Sequence, residues 1–143
     1  MQTENSKITL KVKKLRGDAY MPEYAMDSDI AFDLRASQDV TLGVFQQKEI
    51  PCGIALELPE GYVGLIRDRV GIVTQMACHA IAGTFSPGYR DEVTVVMINL
   101  AEEPVIIEKG MRIAQMIIIP AIKVEFNESN ELSETDRSRK KKQ

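Results

Sequence analysis

Short apolar or alternating runs, each closed by a turn signal, constrain this chain more than any other feature. They read ITLKVKKL (8–15), DIAFDLRA (29–36), QKEIPCGIALELP (47–59), YVGLIRD (62–68), EVTVVMINL (92–100), PVIIEKG (104–110), RIAQMIIIP (112–120) and IKVEF (122–126). Turn signals stand between them, at Pro59-Glu60-Gly61, Pro87-Gly88 and Lys109-Gly110. Runs of this length, rich in Val and Ile, read as strands. No window sustains an apolar 3.6-residue period for three turns. The best helical candidate is 70–78, weakened by its β-branched residues and by Gly71. Many short strands with regular turns predict an all-β barrel or jelly roll.

At 143 residues the chain is expected to form one domain, large enough to bury a core without staples. Charge takes over after Phe126, so residues 1–126 read as the β domain and 127–143 as a flexible, extended or disordered charged arm. The net charge is −3, yet SRKKKQ at the C-terminus is strongly basic, which leaves an acidic body. Such a body gives no general reason to bind nucleic acid. Cys52 and Cys78 share no spacing with a metal motif and are expected to be reduced thiols, with one disulfide as the alternative. MQTENSKITL lacks a signal-peptide pattern, and the apolar stretch 116–122 is too short to span a bilayer. The expectation is a soluble cytoplasmic protein with no membrane contact.

Four runs carry candidate chemistry, in this order: AFDLRA (31–36), RDRVG (67–71), AGTFSPGYRDEV (82–93) and KGMRIAQM (109–116). Asp33 stands in a strand, where a carboxylate reads as a structural hydrogen-bond acceptor. Arg69 offers a forked donor suited to phosphate, and Arg67, Asp68 and Arg69 could equally form a surface ion-pair cluster. The third run reads as a hairpin around Pro87-Gly88 with Tyr89 as its aromatic. A hairpin with an aromatic in the core is the plainer account of it. Gln115 is the lone polar residue in an apolar strand. His79 lies in MACHAIAG with no ligand at metal spacing and reads as a packed histidine.

In order and spacing, these runs resemble the signature segments of the trimeric dUTPase family, which hydrolyses dUTP to dUMP and pyrophosphate. The resemblance spans about Ile8 to Arg137. It implies a distorted jelly roll (β-clip barrel) assembled as a homotrimer, with each nucleotide site built at subunit contacts. The uncharged run 70–81 agrees with burial against a partner surface. The resemblance also implies a deoxyuridine nucleotide as ligand and Mg2+ as cofactor, the ion being held by Asp33 through its water shell. Arg69 and Gly71 would belong to the phosphate turn, with Arg112 structural and Gln115 reaching the α-phosphate. Ala82 and Gly83 would lie in the strand facing uracil, and Tyr89 would pack on the deoxyribose.

The sequence departs from the family pattern where the chemistry is done. Ser86 occupies the place of the Asp that activates water, and a hydroxyl has no accessible pKa near neutrality with which to act as a base. Val70 replaces a Ser that contacts the phosphate bridge, so a donor becomes two methyl groups. The C-terminal Arg-Gly-x-x-Gly-Phe-Gly-Ser pattern is absent beyond Arg137, and with it the aromatic lid. Asp91 and Glu92 are the carboxylates near enough in sequence to recruit water instead. Arg90 stands where the related dCTP deaminases need a Glu, which argues against deamination. The chain therefore reads as a dUTPase-family protein with weak or lost hydrolysis. The alternative is a non-catalytic trimer used for nucleotide binding, regulation or assembly.

Overall fold

The computed structural model describes residues 7–141. Ten strands and two short helices follow the chain: β1 Lys11–Lys14, β2 Ala31–Arg35, β3 Val40–Leu42, β4 Gln47–Glu57, β5 Tyr62–Asp68, α1 Val70–Met76, β6 Cys78–Ala82, β7 Thr84–Phe85, β8 Glu92–Asn99, β9 Val105–Ile107, β10 Arg112–Pro120 and α2 Asp136–Lys141. Two four-stranded sheets, ordered β1-β4-β8-β6 and β2-β10-β5-β7, are accompanied by the β3-β9 pair. Every strand pairing is antiparallel. This is the expected distorted jelly roll.

Strand β8 shows why the alternating runs fold this way. Val93, Val95, Met97 and Asn99 are fully buried, while Thr94, Val96 and Ile98 face the other side and stay partly accessible. A period of two matches the pleat, so one face of each strand enters the core. Asn99 is tolerated there because its amide donates to the carbonyls of Leu42 and Glu103 and accepts from Ala101 N–H. Pro51 sits in β4 opposite Thr94, beyond the residues of β4 that pair with β1, so its missing N–H leaves no gap in that ladder. Just after it the register shifts, and Gly53 takes φ +73.

The helical candidate forms, as α1 over Val70–Met76. Ile72 is its buried residue, Thr74 bonds back to the Val70 carbonyl at 2.9 Å, and Ala77 ends it in the left-handed region at φ 51. Burial within 70–81 is divided: Ile72, Cys78 and Ala80 are buried in the protomer, while Val70, Val73 and Ile81 are exposed. The sequence expectation fails for IKVEF. Residues 121–130 contain no strand, because no second strand among the described residues lies beside them to complete a ladder. Ile122, Val124 and Phe126 consequently stand open to solvent. Part of the charged arm is helical: Thr135 caps α2, exchanging hydrogen bonds with Ser138 across its first turn. Cys52 and Cys78 are both buried, and neither is in a disulfide. No helix among the described residues is long and apolar enough to cross a membrane.

Candidate functional site

Register across three strands builds the first half of the site. Gln115 of β10 lies opposite Asp33 of β2 on one side and Arg67 of β5 on the other. A cleft of about 920 Å³ opens beside this row, lined in part by Asp33, Arg67, Arg69, Val70, Gly71 and Gln115. Asp33 is held on its backbone by the Glu23 carbonyl at 2.8 Å, and the residue is only 8% exposed. Its carboxylate meets Arg69 Nε at 3.0 Å through one oxygen and Arg112 Nε at 3.8 Å through the other. Arg69 also donates to the Arg112 carbonyl at 3.4 Å. The Gln115 amide donates to the Asp68 carbonyl at 2.8 Å.

This arrangement revises one sequence reading. Arg67, Asp68 and Arg69 do not form a cluster among themselves: Arg69 turns to Asp33, and Arg67 is exposed without an ion pair among the described residues. Alternation is the reason, since neighbouring residues at the end of β5 point to opposite faces. Asp33, offered as a magnesium carboxylate, is engaged by two guanidinium groups. Among the described residues no group of three or more His, Cys, Asp or Glu side chains could hold an ion. One carboxylate beside two positive charges repels a lone divalent cation. It suits Mg2+ that arrives on a triphosphate supplying most of the oxygens.

The hairpin from β6 to β8 forms the second half. Ala82 pairs with Val96, and the Gly83 carbonyl accepts from Ile66 N–H at 3.1 Å, which stitches the hairpin to β5. The Ala82–Gly83 peptide is cis. The Ser86 carbonyl accepts from Tyr89 N–H at 3.1 Å across the Pro87-Gly88 turn. Ser86 itself is exposed, with no side-chain partner among the described residues. Tyr89 is exposed, so the plain reading of it as a core aromatic is not met. Its hydroxyl donates to the Glu92 carbonyl at 3.0 Å, and burial together with the carboxylates of Asp91, Glu49 and Glu92 raises its pKa. Glu92, a carboxylate named above as able to recruit water, has one oxygen turned to the fold, where it accepts from Gly53 N–H at 2.8 Å and from Arg16 at 3.0 Å.

Asp68 is the site residue that sequence reasoning missed. Its carboxylate accepts from Ala80 N–H at 2.6 Å and lies 2.5 Å from His79 Nδ1, while its carbonyl holds Gln115. One residue thus ties the cleft to the first strand of the hairpin. His79 is exposed rather than packed, because β6 alternates and presents Cys78 and Ala80 to the core. No local signal in RDR distinguishes Asp68 from an ordinary surface charge.

Within this chain, then, the candidate residues fall into three groups. Asp33, Arg69, Val70, Gly71 and Gln115 line the cleft; Ala82, Gly83, Ser86 and Tyr89 sit on the hairpin and do not; Arg137 is exposed on α2.

The dUTPase family profile matches residues 18–142. A deoxyuridine 5′-triphosphate nucleotidohydrolase of Hydrogenobaculum sp. is 46% identical over 131 residues, covering 90% of this chain and 91% of that protein. One from Clostridium tetani is 39% identical over 133 residues, covering 92% of each chain. The structure of the Staphylococcus bacteriophage 80alpha dUTPase with dUpNHpp superposes with a TM-score of 0.87 at 27% identity, over 92% of this chain and 94% of that one.

Proposed function

This chain belongs to the dUTPase family, and we propose that it is a homotrimeric, cytoplasmic member that binds deoxyuridine nucleotides and hydrolyses dUTP only weakly. The observation that carries the weak chemistry is Ser86, an exposed hydroxyl with no side-chain partner among the described residues. Loss of a general base costs about 10²–10⁴ in rate. Val70, 75% exposed at the cleft, offers no donor to a phosphate bridge.

Binding is supported by what the cleft retains. Arg67 carries an exposed guanidinium, and Arg69 carries donor capacity beyond its Asp33 contact. In this reading Arg69, Gly71 and Gln115 take the phosphates, Ala82 and Gly83 face the base, and Tyr89 lies against the sugar. Mg2+ bound with the nucleotide would neutralise phosphate charge beside Asp33. The trimer is supported by the cleft lining, which takes in none of Ala82, Gly83, Ser86 and Tyr89, so that a neighbouring copy would complete each site. Exposed Val70, Val73 and Ile81 supply apolar surface for such contacts. Residues 1–126 form the domain in this reading, and 127–143 form an arm that lacks an aromatic lid.

A second reading keeps the trimer as a non-catalytic binding or assembly unit, favoured by the engagement of both Asp33 oxygens with arginines. Pyrophosphate release from saturating dUTP with Mg2+ decides between them. Slow but measurable release, abolished by Tyr89→Ala, supports the weak enzyme, and none at all leaves the second reading. Turnover in the ordinary range of roughly 1–10³ per second overturns both. Sedimentation of the same preparation should give about three times the chain mass of 16.0 kDa, and a clean monomer ends the shared-site argument.

A further inference from the structure

We propose that Phe85 fixes the orientation of the Tyr89 ring and thereby sets the preference for deoxyribose over ribose nucleotides. The inference rests on the reading above, in which Tyr89 lies against the sugar. Phe85 is buried, at 8% exposure, and is anchored on β7 opposite Gly64 of β5. Its ring meets Tyr89 edge to face, with centroids 5.3 Å apart and planes at 82°. The far end of Tyr89 is tied to the Glu92 carbonyl at 3.0 Å, and the Glu92 side chain is itself fixed by Gly53 and Arg16. The Tyr89 backbone is held by the Ser86 carbonyl. A tyrosine has two side-chain torsions, and contacts at the ring edge and at the hydroxyl restrain both.

Rigidity matters because the discrimination is against an added hydroxyl. An apolar wall rejects an extra hydroxyl by only about a hundredfold. A ring free to swing aside would surrender much of that. Phe85 touches Tyr89 rather than the nucleotide, so it is a positioning residue. The strength of an edge-to-face pair corresponds to roughly two- to twelvefold in a conformational equilibrium.

The test measures dissociation constants of dUpNHpp and of its ribose counterpart by calorimetry, on the full-length protein and on Phe85→Leu and Phe85→Ile. Both variants keep an apolar side chain on β7 and remove the ring edge that meets Tyr89. In both, the ribose-to-deoxyribose ratio of dissociation constants should fall by roughly two- to twelvefold, with deoxy affinity little changed. A merely structural role would weaken both ligands together and leave the ratio alone, and that result overturns the inference while nucleotide binding stands. If Phe85→Leu does not fold, the ratio in Phe85→Ile decides by the same criterion. If the parent protein binds neither nucleotide, the reading and the inference both fall.

Discussion

Asp33 and Arg69 form an ion pair across the cleft wall, with Nε of Arg69 3.0 Å from one oxygen of a carboxylate that is almost wholly buried. The pair joins β2 to the residue that begins α1, so it is structural as well as site-forming. Arg69→Ala should leave Asp33 with only the longer 3.8 Å contact to Arg112. Removing a partner from a buried charged group costs about 1–3 kcal/mol or more. The urea midpoint should fall accordingly, and an unchanged midpoint would show that water replaces the guanidinium at no cost.

Ser86→Asp combined with Val70→Ser should restore hydrolysis in part. The first supplies a base and the second a donor, and catalytic groups act as a unit. Pyrophosphate release in the double variant should exceed the product of the single effects, moving toward the roughly 10²–10⁴ that a base contributes. Adding Asp33→Asn should remove the gain. A double variant as slow as the parent, at saturating dUTP and Mg2+, would mean that Tyr89 and its hairpin serve only as scaffold.

Ala77→Gly should stabilise the fold. Ala77 ends α1 at φ 51 with its N–H on the Val73 carbonyl, a conformation that glycine adopts without steric cost. Relief of that strain outweighs the extra freedom of glycine in the unfolded chain, for a gain of about 0.5–1 kcal/mol. A thermal midpoint that drops would contradict it.

Alkaline pH should destabilise the protein partly through Cys52. Burial, with a smaller contribution from Glu92, pushes this thiol up from 9.0 to about 12. The unfolded thiol loses its proton first as pH rises, so the folded state binds more protons between about 9 and 12 and stability falls there. The slope contributed is about 1.4 kcal/mol per pH unit. Cys52→Ala should flatten the alkaline limb of a stability-against-pH curve measured by urea unfolding. An equally steep limb would place the titration elsewhere.

The strands and the α1 helix were legible because their signals are local. Each alternating run carries its own inward face, as β8 shows residue by residue, and the turns announce themselves through Pro and Gly. IKVEF carries the same signal and forms no strand, because a ladder needs a second edge that the run cannot supply. His79 misled for a related reason: its apolar neighbours suggested burial, while the phase of β6 turned it outward to Asp68.

By itself the sequence determined an all-β architecture, the family, and the absence of a carboxylate at Ser86. Tertiary structure alone decided which charges remain free. Asp33 is taken by Arg69 and Arg112, Glu92 by Gly53 and Arg16, and Asp68 by Ala80 and His79. Those partners lie far apart along the chain, and the register of β2, β10 and β5, together with the β4–β8 and β6–β8 pairings, brings them within reach. A strand's alternation is written in neighbouring residues, whereas the partner of a charge depends on distance and burial that exist only once the sheets have paired.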